Sequence, residues 1–95
     1  MVIQHKQQKG SGLFYVQVDG ETLAQMTYRQ KDADLIIEHT EVDDELRNKN
    51  VGYSMVKTAV QYARNNNLKI VPVCPFVKAV FDKKPDYKDV LQEVI

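Results

Sequence analysis

The chain has 95 residues, of which 43% are apolar, so it can bury one modest core and is too short for two. Thirteen Lys and Arg residues balance thirteen Asp and Glu residues, which argues against a protein that binds nucleic acid through its phosphates. The single cysteine, Cys74, excludes an intramolecular disulfide, and no segment resembles a secretory signal or reaches the ~20 apolar residues of a membrane span. We therefore expect a single cytoplasmic domain over residues 1–95, with neither nucleic acid nor membrane as a partner.

The first half of the chain is predicted to form an antiparallel meander of three or four strands. Segments rich in Val, Ile, Phe, Tyr and Thr alternate with short turns of Gly, Asp and Lys. Asp19-Gly20 is typical of a two-residue hairpin, because glycine tolerates a positive φ. The predicted strands are Val2 to Gln7, which is weak, Leu13 to Val18, Thr22 to Arg29 and Leu35 to Val42.

The second half changes to helical periodicity. Apolar residues recur at helical spacing from Val51 to Asn65, and Asn65-Asn66-Asn67 ends this helix. Leu68 to Cys74 is predicted to be a strand in which Pro72 marks a sheet edge or a place where pairing stops. A second helix begins at Pro75, and Tyr87 to Val94 is expected to form a last helical turn or two. The order ββββ–α–β–α predicts an α+β fold.

The loop between the fourth strand and the first helix carries the functional signal. The first N–H groups of a helix lack partners and its dipole adds positive potential, which together favour an anion. Gly52 would let a ligand approach the backbone, and Asn50 can take the left-handed conformation that glycine usually supplies. Arg47 and Lys49 add positive charge. The residues alone also fit an ordinary loop with a solvated Arg and Lys.

This loop resembles the cofactor motif of Gcn5-related N-acetyltransferases, in which Val-x-x-x-x-Arg-x-x-Gly-x-Gly joins a strand to a helix. Here the motif consists of Val42, Arg47, Asn50 in place of the first Gly, and Gly52. The resemblance extends from about Gly12 to Val90. Three further segments are similar to a small subfamily of short acetyl-CoA-binding members: His39-Thr40-Glu41-Val42, Cys74-Pro75-Phe76-Val77 and Lys84-Pro85-Asp86-Tyr87.

The resemblance implies a truncated form of this fold, a mostly antiparallel sheet with a V-shaped splay between the fourth and fifth strands. It also implies acetyl-CoA as the cofactor, with its pyrophosphate on the loop amides and its pantetheine arm beside the fourth strand. The chain departs from the subfamily at Val80, where members often carry Tyr, and at Lys84, where they often carry His. The implied cofactor-binding residues are Thr40, Glu41, Val42, Arg47, Asn48, Lys49, Asn50, Val51, Gly52 and Tyr53.

Cys74 and His39 are the candidate catalytic residues. A Cys74 thiolate could accept an acetyl group and pass it on, although a lone cysteine is also a common small buried hydrophobe. His39 could act as a base for Cys74 or for an amine, or could simply bond a neighbour on its strand. Glu41 shares a face with His39 and could orient it, while His5 is expected to be exposed. The scattered His and Cys residues predict no metal site.

Three functions remain open from the sequence. The first is an N-acetyltransferase that moves acetyl from acetyl-CoA to an unknown amine acceptor, such as a protein lysine or N-terminus. The second is a non-catalytic module that holds acetyl-CoA or CoA as a sensor or carrier. The third is a small interaction domain with no CoA site. A monomer is favoured in each case.

Overall fold

The computed structural model describes residues 2–93. Five strands form one sheet in chain order, in which β1 to β4 pair antiparallel and β5 pairs parallel to β4. The predicted α+β fold with a mostly antiparallel sheet is therefore confirmed. The elements are β1 Gln4–Gln8, β2 Ser11–Val18, β3 Glu21–Lys31, β4 Asp34–Val42, a 3-10 helix Asp44–Leu46, α1 Val51–Asn65, β5 Lys69–Pro72, α2 Pro75–Lys83 and a 3-10 helix Pro85–Val90.

Local turn chemistry sets the ends of several elements. Asp19 and Gly20 have φ values of 52° and 80°, so the predicted hairpin turn is confirmed. At the end of α1, Asn67 takes a left-handed φ of 56° and the Leu68 N–H donates to the Ala63 carbonyl at 2.9 Å. This is the Schellman arrangement, and it ends the helix where the asparagine run predicts.

β5 is shorter than predicted and stops at Pro72, which lies on the edge strand of the sheet. Proline has no N–H to donate, so pairing ends there as expected. The next two N–H groups, of Val73 and Cys74, both donate to the Ile37 carbonyl, at 3.1 and 3.0 Å. The predicted last helical turn is a 3-10 helix that begins earlier, at Pro85, and Val94 lies outside the described residues.

The helices pack against the sheet and share one hydrophobic core with it. The largest fully buried side chains are Tyr28, Phe14 and Met26 from the meander, and they belong to the same core cluster as Met55 and Val56 of α1. None of the helices in residues 2–93 has the length and apolar content to cross a bilayer.

A β-bulge in β4 decides which side chains of this strand face the helices. Tyr28 pairs with Ile37 and Thr27 pairs with His39, which leaves Glu38 as the extra residue. Before the bulge the odd-numbered Ile37 is fully buried against the helices. After it the parity changes, and the even-numbered Thr40 pairs with a buried residue of β3.

His5 is not exposed as predicted but half-buried in an aromatic cluster beneath β1. Its ring stacks on Phe14 with centroids 4.3 Å apart and meets the Tyr62 ring edge-on at 4.7 Å. Its Nε2 is hydrogen-bonded to the Tyr28 hydroxyl. Burial raises the pKa of Tyr28 to about 12 and Tyr62 adds to this, while burial lowers the pKa of His5. The Tyr28 hydroxyl therefore keeps its proton at neutral pH and shares a hydrogen bond with a neutral His5.

Acidification is expected to destabilise the fold through His5. Because burial holds the folded pKa of His5 below its ordinary value of 6.5, the unfolded chain binds the proton more readily than the folded one. The contribution of neutral His5 to the free energy of unfolding is therefore fully present above pH 6.5 and is lost as the pH falls below it. Urea unfolding from about pH 7 to about pH 5.5, above the ordinary range of carboxyl titration, measures this loss. His5→Gln should flatten the pH dependence, whereas the matched change His39→Gln on an exposed histidine should preserve it. Equal slopes for wild type and His5→Gln would contradict the assignment.

Candidate functional site

The chain between β4 and α1 forms a compact, internally bonded loop. The Asp43 carboxylate accepts the Glu45 N–H at 3.0 Å and so caps the 3-10 helix Asp44–Leu46. The Arg47 N–H then donates to the Asp44 carbonyl at 3.2 Å. Leu46 is buried in the core, so the loop is anchored at its centre while its polar residues face solvent.

Two asparagines give the second part of the loop its shape. Asn48 has φ 68° and Asn50 has φ 57° and ψ 28°, both in the left-handed region. Asn50 thus adopts the glycine-like conformation expected of it, which asparagine reaches at lower cost than most residues. It is the N-cap of α1, and its carbonyl accepts the Ser54 N–H at 3.0 Å.

This geometry leaves a group of backbone amides without partners at the start of α1. Within the described part of the chain, five N–H groups of the loop and first helical turn have no hydrogen-bond acceptor. They belong to Asn48, Asn50, Val51, Gly52 and Tyr53. Unpartnered amides at the positive end of a helix dipole favour an anionic ligand, and phosphate groups suit such sites well.

A groove of about 410 Å³ opens beside these amides. Eight of the ten predicted cofactor-binding residues line it, while the side chains of Glu41 and Lys49 lie elsewhere. Leu46 and Phe76 complete the wall and were not among the predicted site residues. The lining residues are Thr40, Val42, Leu46, Arg47, Asn48, Asn50, Val51, Gly52, Tyr53 and Phe76.

Gly52 is required by packing rather than by open space for a ligand. A Cβ at this position would lie 2.7 Å from Cζ and 2.9 Å from Cε2 of Phe76, so the Phe76 ring occupies the volume that the sequence argument left to a ligand. The Tyr53 ring meets Phe76 edge-on with centroids 5.7 Å apart. No local signal in the sequence points to the contact of Phe76 with α1.

The far end of β4 separates from β5 and provides the predicted splay. The last paired residues are Ile37 and Pro72, so the segment 38–42 of β4 has no strand partner on that side among residues 2–93. Its outward backbone groups are therefore available to a ligand that pairs like an added strand.

Cys74 lies at this opening, where it is the N-cap of α2 and only 5% exposed. Its Sγ contacts the Thr40 Oγ1 at 3.4 Å. Because successive side chains of a strand alternate, His39 and Glu41 point to the opposite face of the sheet. There both are exposed, and His39 Nε2 lies 2.8 Å from Glu41 Oε1. The structure thus brings Cys74 together with Thr40 and not with His39.

Charged groups around the loop are solvated. Arg47 forms an exposed ion pair with Asp44, with Nε 3.0 Å from the carboxylate, and such a pair exchanges readily with solvent or with a competing anion. Across residues 2–93 no three His, Cys, Asp or Glu side chains come together in a way that could hold a metal ion.

Residues 13–90 match the family model described as GCN5-related N-acetyl-transferase. The chain therefore belongs to the GCN5-related N-acetyltransferase family, and the resemblance read from the loop motif is confirmed. A comparison with curated proteins finds no match.

Solved structures show the same architecture. A GCN5-like candidate N-acetyltransferase from Staphylococcus aureus, solved by NMR, is 35% identical with a TM-score of 0.72, and the alignment covers 97% of this chain and 90% of that one. A ribosomal-protein-alanine N-acetyltransferase from Brucella melitensis biovar Abortus 2308 is 15% identical with a TM-score of 0.60, over 93% and 68% of the two chains. An aminoglycoside N-acetyltransferase in complex with CoA is 9% identical with a TM-score of 0.57, over 90% and 74%. The last two matches show the fold alone.

Proposed function

We propose that this protein binds acetyl-CoA and transfers its acetyl group to an amine acceptor. The observation that carries the proposal is the set of five unpartnered amides around Asn50, which open into the groove at the head of α1. A pyrophosphate supplies the acceptor oxygens and the negative charge that these N–H groups lack. Membership of the acetyltransferase family adds independent support.

The rest of the cofactor would follow the groove along β4. The pantetheine arm carries two amides, and the free edge of β4 after Ile37 offers backbone groups with which they could pair. Val42, Leu46 and Phe76 would pack against its methylene groups. Arg47 would exchange its exposed partner Asp44 for a phosphate oxygen, because the doubly charged pyrophosphate competes well with one carboxylate.

This path leads toward Cys74 at the opening of the splay. In the proposed reaction the Cys74 thiolate attacks the acetyl carbonyl carbon, the carbon–sulfur bond to CoA breaks, and CoA leaves as a thiolate that takes up a proton. The acceptor amine then attacks the Cys74 thioester, loses its proton to a base and restores the free thiol. His39 and Glu41 lie on the opposite face of the sheet from Cys74, so in this route the amine would lose its proton to solvent at the open splay rather than to His39.

Burial of the thiol also favours a second candidate, a non-catalytic carrier or sensor of acetyl-CoA. Cys74 is 5% exposed and its one polar side-chain contact in the described residues is Thr40, a neutral hydroxyl. A binding module would need the amide cradle and the β4 edge but no reactive group.

Titration of isotope-labelled protein with acetyl-CoA tests the cofactor site. We expect saturable shifts of the amides of Asn48 to Tyr53 and of His39 to Val42, and unchanged amides in β1, which lies at the opposite edge of the sheet. An absence of shifts at millimolar ligand would contradict both CoA hypotheses and would leave an interaction domain.

Cys74→Ala separates the enzyme from the carrier. We expect transfer to amine-containing peptides, followed as release of free CoA thiol, to fall about 10²-fold or more while acetyl-CoA affinity changes less than about threefold. Thr40→Val is the matched control, since it removes the hydroxyl beside the thiol and keeps the nucleophile. Unchanged turnover in Cys74→Ala would mean direct transfer to the amine, and no turnover in the wild type would support the carrier.

A further inference from the structure

The helices pack on one face of the sheet, against the alternating side chains that include Phe14, Tyr28 and Ile37. The side chains between these point to the other face, which no helix of residues 2–93 covers. We call this the open face. Strand pairing places two neighbouring rows of side chains on it. In chain order they are Lys6, Leu13 and Thr27 in one row, and Tyr15, Gln25 and Glu41 in the next.

The centre of the open face contains apolar side chains that are separate from the hydrophobic core. Tyr15 is only 7% exposed, yet among the buried apolar residues of the described chain it alone does not belong to the core cluster. Lys6 covers its ring, with Nζ 5.0 Å from the centroid. Leu13, on the same strand, is half-buried and also lies outside the core. An aromatic ring with apolar neighbours is typical of the centre of a protein interface.

Charge lies at the two sides of the open face and not at its centre. In the two rows, the side chains that β2 and β3 contribute are uncharged. Lys6 on β1 has no carboxylate partner in residues 2–93, and Glu41 on β4 contacts His39 but no Lys or Arg there. Arg29 and Glu38, further along the strands, already neutralise each other at 2.9 Å. One side of the face is therefore positive and the other negative.

We propose that the open face binds the open face of a second copy of this chain. A two-fold axis parallel to the strands, between β2 and β3, places β1 of each copy opposite β4 of the other. Lys6 then meets Glu41 of the second copy, and the pair forms twice. Their rows differ by two residues, about 7 Å, which an extended lysine side chain spans. As Lys6 moves to this carboxylate it uncovers Tyr15, whose ring packs between the two sheets.

The size of the open face predicts a weak dimer. Five strands at about 4.8 Å spacing, with about six residues along each, provide roughly 500 Å² per copy. Two copies just reach the roughly 1,000 Å² in total that a specific interface needs, so we expect a Kd of about 10–100 μM. The chain is then a monomer when dilute and a dimer when concentrated. The groove at the head of α1 lies on the helix face, so the dimer leaves it open and the inference does not depend on the proposed function.

Sedimentation velocity between about 5 μM and about 1 mM, at low ionic strength, measures the dimerisation constant. Lys6→Glu should raise Kd about tenfold or more, because in a two-fold dimer one substitution replaces two attractions by two repulsions. The double change Lys6→Glu with Glu41→Lys should return Kd to within about threefold of the wild type. The matched control is Lys78→Glu, the same charge reversal at an exposed position of α2, which should leave Kd unchanged.

Two further measurements locate the interface. Thr27→Lys places a charge at the uncharged centre and should abolish the dimer, while urea unfolding checks that each variant still folds. In a mixture of isotope-labelled and unlabelled protein, we expect contacts between Leu13 of one copy and Thr27 of the other. A wild type that stays monomeric at about 1 mM would overturn the proposal. So would a dimer that neither Lys6→Glu nor Thr27→Lys weakens, or one whose contacts run through the helices or the outer edge of β1.

Discussion

Asn50→Val is expected to lower the affinity for acetyl-CoA by at least about tenfold. Asn50 has φ 57° and ψ 28°, and a β-branched residue pays about 1–2 kcal/mol or more in this left-handed region. The loop can relieve this strain by rotating the peptide groups that follow, which turns the amides of Val51 and Gly52 away from the groove. An anion held by five N–H groups then loses several of them, and 1.4 kcal/mol of lost binding is already a factor of ten.

Two control variants isolate the cause of that loss. Asn50→Gly keeps the conformation without strain and should retain most of the affinity. Asp32→Val introduces the same strain in the β3–β4 turn, where φ is 55°, and should reduce stability without changing affinity. Calorimetry with acetyl-CoA and urea unfolding of all three variants give the comparison. If Asn50→Val binds as the wild type does, the amide cradle is not the pyrophosphate site.

The parts of the fold and site that could be predicted from the sequence are those determined by residues close together in the chain. The helix from Val51 to Asn65 was predicted with the bounds that the structure has, because its periodicity and its asparagine end signals lie within the segment itself. The left-handed Asn50 was predictable for the same reason, since few residue types other than glycine accept that conformation. The antiparallel meander of the first half was predicted from its short turns, whereas the place of β5 beside β4 was implied by the family resemblance.

The relation between Cys74 and His39 could not be predicted because it depends on a bulge. A regular strand that buries Leu35 and Ile37 would also turn His39 toward the helices and so toward Cys74. The extra residue Glu38 reverses the alternation and places Thr40 beside the thiol instead. The alternation of apolar and polar residues along one strand does not tell how the neighbouring strand pairs with it, and therefore does not reveal a bulge.

Contacts between elements that are distant in the chain could not be predicted from the sequence for a related reason. The Phe76 ring against Gly52 joins the starts of two helices, and His5 reaches its partners Phe14, Tyr28 and Tyr62 only after β1 has paired with β2. The sequence indicates each side chain but not the surface that they form together.

Gly12→Ala is expected to destabilise the protein by about 1–3 kcal/mol, the cost of overpacking a close-packed contact. A Cβ at Gly12 would lie 2.5 Å from the Lys6 carbonyl oxygen and against the hydroxyl of Tyr28. The Lys6 oxygen is backbone, so it cannot move unless β1 shifts away from β2. That shift would also break the contact between His5 and Tyr28. Urea unfolding measures the loss, and hydrogen exchange should show the amides of β1 opening first.

A double-mutant cycle tests whether the loss of stability in Gly12→Ala comes from the clash with the Tyr28 hydroxyl. Tyr28→Phe removes the hydroxyl that the new methyl group meets, so Gly12→Ala combined with Tyr28→Phe should cost less than the sum of the two single changes. Gly20→Ala serves as the contrast: its φ is 80° and nothing lies within 4 Å of its would-be Cβ, so it measures backbone strain without a clash. It should reduce stability without exposing β1. A change below about 0.5 kcal/mol for Gly12→Ala would show that β1 is only loosely attached to the sheet, and His5 would then lose the burial on which its lowered pKa depends.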